Sequence, residues 1–263
     1  LTQRWIGRSG RGELRCNNSM DVLRAVFFDL GGTLFSNRQI PVACMPVLAE
    51  AAVRLRIDGG VASIGLAFVE ASRFINERYL SRPYYLHRDL FVDTAARLRE
   101  ALGRDVSEDF DTWFYEAQRA VMIREMVLRE DCLETLGALR ERGLRLVLVS
   151  NIDDDFLEPM LDNLGLRAHL DDWISSEAAR SCKPDARIFR QALARAGCEP
   201  GEALFVGDSR IHDIQGARAV GIPAVLIAEE GGVSHLDDES FDAEPDHVIR
   251  TLPELVGIVD ASR

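Results

Sequence analysis

Lysine is almost missing from this chain: Lys183 is the only one, and the remaining 30 of the 31 basic residues are arginine. Such a bias usually reflects the base composition of the coding DNA. A lysine that survives it points to a place where a compact ammonium is wanted and a planar guanidinium is not; chance is the alternative. Long apolar runs are also missing. No stretch approaches 18 consecutive apolar residues, so no hydrophobic membrane-spanning helix is expected. The five cysteines (Cys16, Cys44, Cys132, Cys182 and Cys198) are odd in number, scattered and without metal-site spacing. That argues against a disulfide framework and for free thiols in a reducing, cytoplasmic setting. His169, His212, His235 and His247 likewise show no ligand spacing for zinc. Positive charge is in deficit, with 43 acidic residues against 31 basic ones and a net charge of -12. A broad acidic surface repels nucleic acid and anionic membranes, so neither is expected as a partner. A small phosphorylated molecule remains open, because a local cationic pocket overrides the global field.

What is present is an ordinary globular composition, 47% hydrophobic and 28% charged over 263 residues, ample for a large core. Residues 1–19 stand apart: they hold Arg4, Arg8, Arg11 and Arg15 with little apolar periodicity, and read as a disordered or non-native extension ahead of Met20. Val22 to Phe28 reads as a buried strand. From residue 36 to about 128 no convincing strand occurs. Four helical stretches follow instead: Met45 to Arg56, Val61 to Tyr79, His87 to Leu102 and Ser107 to Met126. Beyond them strands and helices alternate. The strands are 144–149, Leu170 to Ile174, 203–206 and 223–228, with a short edge strand at Val248-Ile249; the helices are Phe156 to Leu164, Pro184 to Ala196 and His212 to Val220. Such alternation predicts an α/β fold, a Rossmann-like doubly wound parallel sheet core with an inserted all-helical, four-helix cap. The expected division is residues 20–36 and 129–263 for the core and 37–128 for the cap.

In an open parallel sheet, ligands bind at the carboxyl ends of the strands. The residues there are Asp29 after the first strand, Ser150 and Asn151 after "LRLVLV", and Gly207 and Asp208 after "ALFV", with Asp213 five positions on and Lys183 just before a helix. Facing carboxylates are unfavourable unless a cation sits between them. Mg²⁺ suits an oxygen-only donor set and needs few protein ligands. Phosphate would follow the metal, held by Ser150, backbone amides and Lys183, and Asp29 would attack phosphorus to give an aspartyl-phosphate.

The segments "FFDLGGTLF" (27–35), "LVLVSN" (146–151), "CKPDARIF" (182–189) and "FVGDSRIHD" (205–213) resemble, in order, the four motifs of the haloacid dehalogenase superfamily. The resemblance implies a Mg²⁺-dependent phosphoric-ester hydrolase acting on a small phosphorylated metabolite. It assigns the nucleophile and a metal ligand to Asp29 and the second metal carboxylate to Asp208. It gives Asp213 a supporting place beside the metal or the lysine, and the phosphate-binding groups to Gly32, Ser150, Asn151 and Lys183. Thr33 matches a structural threonine.

One position departs from that pattern. Gly31 stands where the family's phosphatases carry an aspartate that protonates the leaving group and then activates water. Its backbone carbonyl still matches a metal ligand. General acid–base catalysis is worth roughly 10²–10⁴-fold, so its loss weakens hydrolysis, least for leaving groups that need no proton. Asp153, Asp154 and Asp155 are candidates to replace the acid, against the plainer expectation of a solvated helix N-terminus favoured by its dipole. The alternatives are a catalytically weak or inactive relative that binds a phosphorylated ligand or a partner, and a 2-haloacid dehalogenase. A phosphonate hydrolase acting through a cap lysine is excluded, because the insert has no lysine. Within the insert, "SRPYYLHRDLF" (81–91) gathers Arg82, Tyr84, Tyr85, His87 and Arg88 between two helices. Arg82, Tyr85, His87 and Arg88 are candidate substrate contacts, and ordinary packing of the insert on the core is the alternative. Asn37 and Arg38 fall at the expected hinge with no role assigned. The sequence does not speak to oligomeric state.

Overall fold

The computed structural model describes residues 22–105, 107–229 and 244–262; the arginine-rich extension, Cys16 and His235 lie outside them. Strand β1 (Ala25–Phe28) is followed by four helices: α1 (Gln39–Arg54), α2 (Gly60–Leu80), α3 (His87–Ala101) and α4 (Glu108–Glu125). After α5 (Cys132–Glu141) come β2 (Arg145–Ser150), α6 (Asp154–Asn163), β3 (Asp172–Ser175), α7 (Ser176–Ala179), α8 (Ala186–Ala196) and β4 (Ala203–Gly207). A π-helical turn (Arg210–Gln215), α9 (Gly216–Arg218), β5 (Ala224–Ile227), β6 (His247–Ile249) and α10 (Glu254–Ala261) complete the described chain.

All pairings are parallel, and the order is β3-β2-β1-β4-β5-β6. The chain begins at the middle of the sheet because "AVFF" is apolar at every position, as a strand covered on both faces must be. Alternation then divides the sheet's side chains. Val26, Phe28, Leu148 and Val206 pack on one side with Leu136, Phe156 and Leu157. Ala25, Phe27, Val149 and Phe205 pack on the other with Ile188, Phe189 and Ile214. Helices α1–α4 form an insertion between β1 and β2 with a separate core, centred on Leu48, Ala51, Ile64, Leu98, Phe110 and Phe114. Within that insertion Arg99 and Asp111 form a buried, two-pronged ion pair at 2.6 and 2.7 Å.

The two crossings between sheet and insertion run side by side. Phe35 and Leu128 form an antiparallel bridge, and the Gln39 side chain both donates to and accepts from the Val127 backbone at 3.0 Å. Arg129 donates to the carbonyls of Gly32 and Thr33 at 2.7 and 2.9 Å. This neck ends in the loop that follows β1.

Helices α7 and α10 were not expected, and two expected elements differ. Helix α1 starts at Gln39 and not at Met45; Pro41 falls in its first turn, where a missing N–H costs nothing. The expected helix from His212 to Val220 is instead a π-turn and the short α9. Among the described residues no helix is long and apolar enough to cross a membrane.

Candidate active site

The end of β1 and the end of β4 are neighbours because Phe28 pairs with Val206, and the Asp29 N–H continues the ladder to the Val206 carbonyl at 2.9 Å. That register sets Asp29 and Asp208 on one edge of the sheet. Two glycines make the approach possible. A Cβ on Gly207 would lie 2.3 Å from the Asp213 carboxylate carbon, and one on Gly32 would lie 2.0 Å from Asp208 Oδ2. Gly32 also has φ +80°, a conformation that side chains rarely adopt.

Lys183 binds the cluster from the opposite loop. Its Nζ donates to Asp29 Oδ1 and to Asp213 Oδ1, both at 2.6 Å, and all three side chains are buried. Asp213 Oδ2 accepts the Ser209 N–H at 3.0 Å, so both of its oxygens are engaged. Oxygens of Asp29, Asp208 and Asp213 lie within 4.8 Å of one another. Two of these three carboxylates thus share one ammonium. Burial pushes the Asp29 carboxyl up to about 6, with Lys183 pulling down and Asp213 adding to the rise. Burial alone would lower the Lys183 ammonium, but Asp213 and Asp29 outweigh it and hold it above its usual value. An oxygen-only group of three carboxylates, two of them buried and one half-buried, is what a hard divalent cation fits.

Ser150 is the last residue of β2 and is buried on the same edge. Asn151 follows it, but its side chain is spent on the Lys183 backbone, accepting the Lys183 N–H at 2.6 Å and donating to the Lys183 carbonyl at 2.9 Å. It staples together the two loops that carry Ser150 and Lys183. Thr33 is fully buried and its hydroxyl has no partner.

The insertion is fastened over both loops. Pro83 accepts the Cys182 N–H at 2.9 Å. Asp153, buried just past Asn151, accepts the N–H groups of His87 and Arg88 at 2.8 and 2.7 Å, one on each oxygen. A core carboxylate therefore caps the N-terminus of α3. Asp154 and Asp155 are exposed in the first turn of α6, as a solvated helix N-terminus requires; Asp153 departs from that expectation. Asp153 is neither solvated nor a substitute acid poised over the site; Asp154 accepts from Ser175 at 2.5 Å, and Asp155 pairs with Arg119 of α4 at 3.4 Å. Of the candidate substrate contacts, Tyr85 and His87 are half-buried with ring centroids 5.0 Å apart. Burial, His212 and Lys183 press the His87 imidazole down to about 3, and its Nδ1 is sealed without a partner. Arg82 and Arg88 are exposed, their guanidiniums lying over the rings of Tyr79 at 3.9 Å and Tyr115 at 5.8 Å.

Sequence reasoning missed two residues. Asn37 donates its Nδ2 to Asp208 Oδ2 at 3.0 Å. Glu229, two residues past β5, meets Ser36 at 2.6 Å, Arg129 at 3.6 Å and Arg38 at 3.9 Å, tying both crossings of the neck. No local pattern marks either residue, since each acts across more than 90 positions of the chain.

A parallel sheet with a helical insertion after its first strand, and an Asp–Lys–Asp cluster at the strand ends, defines a class of hydrolase folds. The haloacid dehalogenase-like hydrolase family model matches residues 23–221, and the chain belongs to that family. It is 46% identical over 127 residues to haloacid dehalogenase-like hydrolase domain-containing protein 3 of Mus musculus, an alignment spanning 48% of this chain and 49% of that relative. It is 30% identical to the ribulose-1,5-bisphosphate 5-phosphatase of Halopiger xanaduensis, over 89% of this chain and 98% of that protein. Among solved structures, the magnesium-bound HAD-hydrolase YfnB of Bacillus subtilis matches at a TM-score of 0.71 with 17% identity, covering 91% of this chain and all of that one; this likeness is of fold.

Proposed function

We propose that this protein is a Mg²⁺-dependent phosphoric-ester hydrolase that acts on a small phosphorylated metabolite through an aspartyl-phosphate on Asp29. The observation that carries the reading is the buried cluster in which Lys183 sits 2.6 Å from both Asp29 and Asp213 while Asp208 stands alongside. Asp29, Asp208 and the Gly31 carbonyl would hold Mg²⁺, whose charge draws the phosphate in and favours the ionised form of Asp29. Asp213 supports from behind, both of its oxygens being taken by Lys183 and Ser209.

The chain's own residues then divide the work. Lys183 binds the nucleophile and a phosphate oxygen as a point charge. Ser150 and the Gly32 N–H offer donors to the remaining oxygens. Asp29 attacks phosphorus, the bond to the leaving oxygen breaks, and water later cleaves the acyl-phosphate. Gly31 gives no proton to the leaving group, so esters of weakly basic alcohols or acids are turned over best. Selection of the substrate falls to the insertion segment that carries Tyr85 and His87. The ribulose-1,5-bisphosphate 5-phosphatase, one of several phosphatases among the relatives and aligned over nearly its whole length, supports the substrate class.

The test is hydrolysis of a phosphate-ester series of graded leaving-group pKa, with Mg²⁺ and with chelator. Turnover that requires Mg²⁺, falls steeply as the leaving group worsens and vanishes in Asp29→Asn bears the reading out. Gly31 favours a second reading, a relative that binds a phosphorylated ligand without turnover. No hydrolysis of any ester, together with ligand binding that survives Asp29→Asn, would establish that one.

A further inference from the structure

The place of the missing acid is not empty space. A Cβ built on Gly31 would lie 3.3 Å from Asn37 Oδ1, a tight contact, and 3.4 Å from Phe35 Cζ, at the near edge of ordinary van der Waals contact. On the other side of the same amide, Asn37 Nδ2 donates to Asp208 Oδ2 at 3.0 Å and would be 2.6 Å from a Cβ on Gly32. Asn37, Asp208 and the backbone of Gly31 and Gly32 therefore pack together, and a side chain at position 31 would press on the Asn37 amide.

Its surroundings hold Asn37 in this position. Phe35 is buried and pairs with Leu128 across the neck. Ser36 donates its hydroxyl to Glu229 at 2.6 Å and accepts the Arg38 N–H at 3.2 Å. The residue on either side of Asn37 is thus anchored, and the amide stands at the junction of core and insertion.

We propose that Asn37 is a positioning residue for Asp208, and that Asn37 and Phe35 together take the space an acid at position 31 would need. The proposal rests on the reading of Asp208 as a metal carboxylate. An N–H donated to Oδ2 fixes the rotation of the Asp208 carboxylate, and a neutral amide does so without adding charge that competes with the cation. Partners of this kind behind a ligand typically change metal affinity by about 10–100-fold. Gly31 and Asn37 are then two halves of one change. An aspartate restored at 31 regains proton transfer only when Asn37 is shortened as well.

The experiment has two readouts. The first is Mn²⁺ binding to the substrate-free protein, followed by electron paramagnetic resonance, for the wild type, Asn37→Ala, Asn37→Leu and Asp208→Asn. The expected result is a dissociation constant about 10-fold or more weaker in both Asn37 variants, with thermal unfolding of the metal-free proteins unchanged. An affinity within two-fold of wild type in the folded Asn37 variants overturns the positioning role. Wild-type affinity retained in Asp208→Asn overturns the reading beneath it instead. The second readout is the leaving-group dependence of hydrolysis at saturating Mg²⁺. Gly31→Asp alone is expected to leave it steep, and Gly31→Asp with Asn37→Ala to flatten it. Equal flattening by Gly31→Asp alone overturns the claim that Asn37 fills the acid's place.

Discussion

Lys183 holds a site in which carboxylates outnumber ammonium groups, and its removal would leave them uncompensated. With Lys183→Met, Asp29 and Asp213 lose their shared partner at 2.6 Å. Turnover should fall by at least 10³-fold while the fold persists, checked by steady-state kinetics beside circular dichroism; a loss under 10-fold contradicts the role given to Lys183. Gly207 is the sharper test of packing. A methyl group there would stand 2.3 Å from the Asp213 carboxylate carbon, so Gly207→Ala should destabilise by about 1–3 kcal/mol in urea unfolding and lower activity with it. At this scale Asp29, Ser150, Lys183, Asp208 and Asp213 were legible in the sequence, because each follows a buried strand or opens a helix and strand ends are where such sheets bind ligands. Asn37 was not. It is an ordinary polar residue in a loop, and its meaning depends on a hydrogen bond to a residue 171 positions away.

The element that most depends on a distant residue is α3. Its N-cap position is Leu86, which has no side chain able to cap, and the two backbone N–H groups go instead to Asp153 of the core. Asp153→Ala should cost about 0.5–2 kcal/mol, the range for lost helix caps, measured by denaturant unfolding. It should also raise KM more than it lowers kcat, because the segment bearing Tyr85 and His87 loses its tie to the Ser150 loop. An unchanged KM would show that the segment holds its place without Asp153. The sequence made α3 itself plain through its apolar spacing, but not the cap, since acids at 153, 154 and 155 look alike until the fold sorts them. Helix α1 ran six residues earlier than its apolar pattern suggested, because Pro41 in a first turn does not interrupt a helix. The π-turn after β4 was invisible for a different reason. Ser209 caps it through the His212 N–H while Asp213 turns in toward Lys183, and both are tertiary demands on a short segment.

Over the whole molecule, acid should act through two half-buried histidines. Burial lowers His87 to about 3 and His212 to about 4, Lys183 adding to both effects, His212 to the first and Asp213 opposing the second. The unfolded chain takes up these protons near the usual 6.5 and the folded chain only at lower pH. Their contribution to stability is therefore complete above about 6.5 and is lost as pH falls toward 4. Asp29 acts in the opposite sense, since its raised carboxyl takes a proton near 6 in the folded state before it does so unfolded. Comparing wild type with His87→Gln isolates one histidine: the variant should show a shallower loss of stability between about 6.5 and 4. An unchanged slope would mean that the imidazole is already protonated in the fold. The parallel sheet and the helical insertion were readable from the alternation of patterns along the chain, but the strand order was not, because it depends on which strands meet in space. The fastening of the insertion through Gln39, Arg129 and Glu229 required the three-dimensional neck.

The central claim is that Asp29 becomes phosphorylated. The most direct measurement is acid quench of the protein during turnover of an aryl phosphate in Mg²⁺, followed by mass spectrometry of the peptide that contains "FFDLGGTLF". The account predicts a phosphoryl adduct on Asp29 that forms only with Mg²⁺ and is absent from Asp29→Asn. Turnover that proceeds with Asp29 never labelled, or that continues in Asp29→Asn, would contradict it.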